Sequence, residues 1–227
     1  HMVLGQPRRF VMDHAYWGQE FSAGAIHDAL AAENIRAEGF CDEDKLLDRV
    51  ADWLSEGKVA GWYQGKFEWG PRALGHRSIL ADPRRAEMKD VVNTKIKFRE
   101  PYRPFAPSVL EERAAELFDL PEPERHYPSR FMLYVVDVKD GAKEKLPAIT
   151  HVDGSARLQT VRQDTSPRYY RLIEKFAQAS GVPVLLNTSF NLRGEPIVNS
   201  PGDALKTFYN SGLDFLVLGD VIVAKEP

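Results

Sequence analysis

Cysteine is almost absent: Cys41 is the only one among 227 residues. No disulfide can form within the chain, and no metal site can be assembled from several thiolates. Such usage fits a reducing, cytoplasmic setting. Long apolar runs are missing as well. None approaches the roughly 20 residues that cross a bilayer as a helix, and no secretory signal opens the chain, so no membrane partner is expected. His1-Met2 reads as an expression scar, and the chain is expected to be an excised part of a longer protein. The histidines at 14, 27, 76, 126 and 151 are scattered without metal-ligand spacing, and no resident metal is expected. Neither Gly-x-x-x-x-Gly-Lys-Ser/Thr, nor Gly-x-Ser-x-Gly, nor His-Glu-x-x-His occurs. Their absence removes the P-loop, the nucleophile elbow and the zinc-protease helix from consideration.

A large excess of one charge is also missing, since the net charge is −3. A duplex-binding domain usually shows a clear basic surplus, so this balance argues against nucleic acid. The charge is uneven, however. From Lys66 to Arg103 there are ten Lys/Arg against five Asp/Glu, in a chain that is otherwise acidic. That local surplus calls for an anionic partner. The 43% hydrophobic and 28% charged content is that of an ordinary globular protein. A chain of this length buries about 70% of its unfolded surface and needs no metal or disulfide to hold a core.

Residues 1–40 are weakly patterned, with Phe10, Tyr16, Trp17 and Phe21 as aromatic anchors, and read as a segment connecting to the domain at 41–227. Leu46, Leu47, Val50, Ala51 and Leu54 recur at helical spacing, which predicts a helix over 42–56 closed by Gly57. Asp82-Pro83, Ser166-Pro167 and Ser200-Pro201 each pair a cap residue with proline at the first helical position, predicting three more helix starts. A short helix is expected at 111–118. Strands are expected at 59–63, 105–109, 131–138, 158–161, 183–186, 215–218 and 221–223, the last two around the Gly219-Asp220 turn. The mixed order predicts a mixed sheet covered by helices, an α/β (α+β) domain.

Four constellations carry chemistry. In Trp69-Gly-Pro-Arg-Ala-Leu-Gly-His-Arg-Ser78 two glycines flank a turn that presents Arg72 and Arg77. Two guanidinium forks in a loop can converge on one phosphate, and the glycines would let the backbone approach it closely. In the stretch 95–107 basic residues at 95, 97, 99 and 103 alternate with Ile96, Phe98 and Tyr102. An extended chain over 95–99 would put the cations on one face, and Pro101, Pro104 and Pro107 would stiffen the loop after it. Asp153-Gly154 is a turn that delivers Arg157 to the head of a strand. Finally, a buried strand runs into Asn187, Thr188, Ser189 and Asn191, and polar groups at a strand's carboxyl end are well placed to line a crevice. Against these stand plainer readings: solvated surface arginines, an amphipathic edge strand, and a turn-capping Asn/Ser cluster.

Gly70 to Arg84, Phe98 to Pro107, His151 to Arg157 and Leu186 to Asn191 together resemble the C-terminal domain of the O-carbamoyltransferases, a family that acts on nodulation factors and antibiotics. Four ordered motifs cover nearly the whole chain. The resemblance implies a YrdC-like twisted mixed sheet. It implies a domain that binds carbamoyl phosphate and ATP, with Mg²⁺ bridging the triphosphate, and forms carbamoyladenylate. It implies that an N-terminal transferase domain, absent here and carrying an iron-type metal, then carbamoylates a hydroxyl of a small-molecule acceptor. Carried over by motif, Arg72, Arg77, Lys97, Arg103 and Arg157 match the anion-binding set, and Asn187, Ser189 and Asn191 match the substrate and nucleotide loop. No role falls to His76. Two other functions stay open at this point: an RNA- or nucleotide-binding module of YrdC-like surface, and a non-catalytic domain that only completes its transferase partner.

Overall fold

A computed structural model describes residues 2–100 and 102–225. His1 of the expected scar and Pro101 of the expected proline-stiffened stretch lie outside the described residues. Nine strands form one mixed sheet: β1 (Glu38–Gly39), β2 (Ala60–Tyr63), β3 (Arg77–Ala81), β4 (Ala106–Leu110), β5 (Tyr134–Asp137), β6 (Ser155–Val161), β7 (Val184–Ser189), β8 (Phe215–Leu218) and β9 (Val221–Ala224). Their order across the sheet is β1-β9-β8-β2-β3-β7-β4-β6-β5. The β2/β8 and β4/β6 pairs are parallel and the other pairs antiparallel. The central strands β2, β3, β4 and β8 are buried along their whole length, as a sheet covered on both faces requires.

Because successive strand side chains point to opposite faces, each strand feeds two cores. Trp62, Leu80, Leu185 and Val217 face the helices Glu43–Ser55 and Pro167–Ser180. Tyr63, Ile79, Leu186 and Leu218 face the other core, closed by the helices Ala23–Ala32 and Pro201–Tyr209. The helix ends obey the expected chemistry. Asp42 caps the first of these by accepting the Asp44 N–H at 2.9 Å. Gly181, at φ +80°, ends the helix that begins at Pro167. Ser200 and Asp203 form a capping box around Pro201. Among the described residues no helix is long and apolar enough to cross a membrane.

Several expectations change. Residues 1–40 hold a capped helix, Ala23–Ala32, and the edge strand β1. That helix buries only Ile26 and Leu30, too few to leave a periodic signal. Asp82-Pro83 does not open a helix. The Asp82 carboxylate turns back to the Arg84 backbone N–H and guanidinium, and helix begins only at Met88–Asp90, running on as a π-helix over Val91–Ile96. The expected extended stretch at 95–99 is therefore helical as far as Ile96. The strand expected over 131–138 shrinks to Tyr134–Asp137, because Tyr127–Phe131 is a 3₁₀ helix and Met132 takes φ +55°. Finally, Arg77 belongs to the buried strand β3 and not to the loop that the flanking glycines suggest.

Candidate functional site

Three strands bring the polar ends together. Asn187 of β7 lies opposite Ala106 of β4 and Leu80 of β3, while Arg157 sits within β6, one strand beyond β4. Asp153 and Gly154 set up that strand as expected: the Asp153 carboxylate accepts the Ser155 N–H at 3.0 Å, and Gly154 adopts φ +84°. Asn187 is fixed from behind. Its Nδ2 donates to Ser108 Oγ at 3.0 Å and Gln159 Oε1 at 2.9 Å, and Gln159 Nε2 donates to the Leu74 carbonyl at 2.8 Å. This buried amide network ties β4, β6 and β7 to the loop that carries Arg72. Asn187 Oδ1 is left buried without a partner.

In front of Asn187 opens a cleft of about 110 Å³, whose polar lining is Arg72, Arg99, Arg157, Asn187, Thr188 and Ser189. Its floor and sides hold no carboxylate. Arg72 and Arg157 are half-buried, their Nε atoms are fully buried, and neither side chain has a hydrogen bond or ion pair with any described residue. Burial lowers the Arg157 pKa, and the nearby Arg72 charge lowers it further. Burial likewise lowers that of Arg99, with Arg103 and Arg157 adding to the effect. Arg99 is steadied by Asn93 Oδ1 at 2.7 Å and lies 4.9 Å over the Phe105 ring. Arg157 thus feels repulsion from Arg72 and from Arg99 around one small concavity, an arrangement whose chemistry suits an anion.

The other expected residues fall around this cleft rather than in it. Lys97 is 4% exposed. Its amine donates to the carbonyl and hydroxyl of Ser189 and to the carbonyl and Oδ1 of Asn191. It thereby pins the loop after β7 from behind, and burial, helped by the charge of Arg99, pushes its pKa down to about 7. Asn191 completes that loop by accepting from Ser189 Oγ at 2.7 Å and donating to the Glu195 carbonyl. Arg103 is exposed and paired with Glu100 at 3.0 Å.

Arg77 does not converge with Arg72. Strand β3 turns it inward, where it is 0% exposed. There it donates to the carbonyls of Gln64, His76 and Gly65 and stacks 3.5 Å over the Tyr63 ring. At Gly75 the lack of a side chain clears the Tyr169 ring, which a Cβ would meet at 2.2 Å, and φ is +100°. His76 is buried and neutral, its pKa lowered to about 3 by burial. Its Nδ1 lies 2.8 Å from the Lys66 carbonyl, an acceptor only, so that nitrogen carries the proton.

Arg99 and Thr188 are polar lining residues that stand within the sequence constellations but outside the set carried over by motif. Arg99 is one of the ten clustered cations, and strand-like alternation gives no means of ranking it above Arg103. Beside the cleft lies an apolar cavity of about 340 Å³, lined by Met12, Trp69, Pro71, Leu74, Phe131 and Leu133 and sharing Arg72 with it.

The fold and the sequence place the chain among known proteins. Its sheet is YrdC-like. HypF, in a crystal structure of its phosphate- and nucleotide-bound form, superposes with a TM-score of 0.53 at 16% identity, over 78% of this chain and 25% of HypF. Sua5 of P. abyssi superposes with a TM-score of 0.53 at 13% identity, over 79% of this chain and 49% of Sua5.

Residues 51–225 match the family model described as Carbamoyltransferase C-terminus, and the chain belongs to that family. It is 48% identical over 228 residues to nodulation protein NolO of Bradyrhizobium diazoefficiens, covering 99% of this chain and 41% of NolO. It is 42% identical over 173 residues to the 3'-hydroxymethylcephem-O-carbamoyltransferase of Amycolatopsis lactamdurans, covering 76% of this chain and 32% of that enzyme. The chain thus spans about two fifths or less of these relatives' own length.

Proposed function

We propose that the cleft binds the phosphoryl group of carbamoyl phosphate together with ATP, and that the domain forms carbamoyladenylate. One observation carries this reading: the Arg72 and Arg157 guanidinium groups face the same cleft, half-buried, with no partner among the described residues. A buried cation without a partner is costly unless a ligand supplies the anion. Membership of a carbamoyltransferase family supports the carbamoyl group, and the phosphate- and nucleotide-bound state of HypF supports a nucleotide on this fold. The apolar cavity that shares Arg72 with the cleft suits an uncharged ring joined to the phosphates.

Chemically, carbamoyl phosphate loses phosphate to water, giving carbamate. A carbamate oxygen then bonds to the α-phosphorus of ATP, the bond from that phosphorus to the bridging oxygen breaks, and pyrophosphate leaves. The chain presents cations, an amide and two hydroxyls at this place, with no carboxylate or histidine in the lining to activate a hydroxyl. Its contribution is therefore positioning and stabilisation of charge on the phosphoryl oxygens. Arg72, Arg99 and Arg157 would hold those oxygens, Asn187, Thr188 and Ser189 would line the opposite wall, and Lys97 would hold the Ser189–Asn191 loop in place. The lining does not fit a resident Mg²⁺, because it offers a cation no carboxylate. A divalent ion would arrive on the triphosphate's own oxygens. Transfer to an acceptor hydroxyl would fall to an N-terminal domain of the whole protein.

The test is carbamoyl-phosphate-dependent exchange of labelled pyrophosphate into ATP. The chain should support exchange, and Arg157→Ala should lower it about a hundredfold, the scale of one oxyanion donor. Equal exchange in both removes Arg157 from the chemistry. Absence of exchange, coupled with tight binding to the N-terminal domain, favours a non-catalytic partner domain.

A further inference from the structure

Arg72 reaches the cleft from a turn that is built around a carboxylate. Glu68 is 1% exposed. Its Oε1 accepts three backbone N–H groups of that turn, from Leu74 at 2.9 Å, His76 at 2.7 Å and Arg77 at 3.1 Å. Its Oε2 is buried without a hydrogen-bond partner, and among the described residues no ion pair reaches it. A carboxylate costs several kcal/mol to bury alone, and here three backbone donors, helped by the nearby charge of Arg77, offset that cost. All three lie within four residues, so the carboxylate ties both limbs of the turn to one point.

The side chain of Arg72 does nothing to fix itself, since it has no hydrogen bond or ion pair with any described residue. Its position is inherited from the backbone of residues 69–75. That backbone is held at its edges by the N-terminal segment, where the Trp69 N–H donates to the Ala15 carbonyl at 2.6 Å and the Tyr16 hydroxyl to the Leu74 carbonyl at 2.9 Å. Tyr16 also stacks 3.7 Å from the His76 ring. Asn187 and Gln159 hold the carbonyls of Ala73 and Leu74 from the sheet side, and Glu68 gathers the amides of Leu74, His76 and Arg77.

We propose that Glu68 is a positioning residue for anion binding, holding the turn that presents Arg72 to the cleft. The proposal rests on reading the cleft as a phosphate site. On balance burial raises the Glu68 pKa, and the amides of Leu74, His76 and Arg77 offset part of that rise; its Oε1 accepts those three N–H groups whether the group is charged or neutral.

Calorimetric titration of the chain with carbamoyl phosphate tests this. Glu68→Ala should weaken binding by at least about tenfold, the scale of one charge-assisted hydrogen bond. Glu68→Gln keeps an oxygen for the three amides and should stay within about threefold. Glu68→Ala combined with Arg72→Ala should bind no more weakly than Arg72→Ala alone, because both remove the same contribution. Glu68→Ala combined with Arg157→Ala should show both losses. Unaltered binding in Glu68→Ala, or losses that multiply with Arg72→Ala, overturn the proposal. If Glu68→Ala does not fold, Glu68→Asp takes its place: a carboxylate one methylene short should weaken binding more than Glu68→Gln, and the reverse order overturns the proposal.

Hydrogen exchange separates this inference from the reading it rests on. Glu68→Ala should strip protection from the amides of Leu74, His76 and Arg77 while β7 and β8 stay protected. Failure of the parent chain to bind carbamoyl phosphate counts against the phosphate reading. Unchanged protection at those three amides counts against Glu68, whatever the ligand.

Discussion

Arg72 and Arg77 stand five residues apart in one segment and end in opposite circumstances. The two terminal nitrogens of Arg77 are spent on three backbone carbonyls, its plane lies on Tyr63, and only its Nε lacks a partner. Among the described residues Arg72 has no such partners, and it lines with Arg157 a cleft with no carboxylate in its lining. A buried arginine whose donors are filled by the fold is part of the fold. One whose donors are left short, beside another like it, is the arrangement on which the proposed ligand cleft rests. The sequence presents both as arginines of the same turn, and only their hydrogen-bond partners tell them apart.

That contrast breaks if the two arginines respond alike to truncation. The largest effect should come from Arg77→Ala. It leaves the Gln64 and Gly65 carbonyls without their donor and opens space beside Tyr63, so folding stability should fall by about 3 kcal/mol, read from the urea midpoint. Arg157→Ala should leave that midpoint unchanged or slightly raised, since it relieves repulsion with Arg72. It should instead weaken carbamoyl phosphate binding about ten- to a hundredfold, as loss of a charge-assisted bond does.

Lys97 sharpens the contrast through pH. Its folded pKa is pushed down to about 7, mainly by burial, whereas an unfolded lysine titrates near 10.4. Between those values the unfolded chain binds more protons, so stability rises with pH there, and below about 7 the folded state bears the full cost of the buried charge. Relative to Lys97→Met, the parent should gain about 1 kcal/mol from pH 7 to pH 8. A parent and variant with the same pH slope would mean that Lys97 is no more buried than an ordinary lysine. The smallest effect belongs to Arg103→Ala. Its ion pair with Glu100 lies open to solvent, a class worth about 0–1 kcal/mol, so carbamoyl phosphate affinity should change by less than about threefold, most of it lost at high salt.

Most of the frame can be read from the chain, because helices with strong cores and caps leave periodic signals. The helix Glu43–Ser55, the starts at Pro167 and Pro201, and the strands β2, β4, β8 and β9 all come from apolar spacing and cap residues. The elements that escape are those whose signals are overridden by tertiary partners. Strand β3 carries Arg77 and Ser78 in a fully buried run, and buried polar residues hide a strand from a hydrophobicity pattern. The π-helix over Val91–Ile96 and the φ of +47° at Phe98 break the alternation that would align residues 95, 97, 99 and 103. Lys97 turns inward as a result, Arg99 reaches the cleft, and Arg103 stays at the surface. The convergence of Arg157 and Asn187 with Arg72 is legible only as a family resemblance, since strand order, not spacing, brings them together.

The seat of a phosphorylated ligand decides between a binding cleft and a chance meeting of arginines. A crystal structure of the chain with carbamoyl phosphate would test this most directly. It should place the phosphoryl oxygens within hydrogen-bond reach of Arg72 and Arg157, in front of Asn187. Phosphate bound at Arg103 or elsewhere on the surface, with the Arg72–Arg157 cleft still without it at saturating ligand, would contradict the central claim.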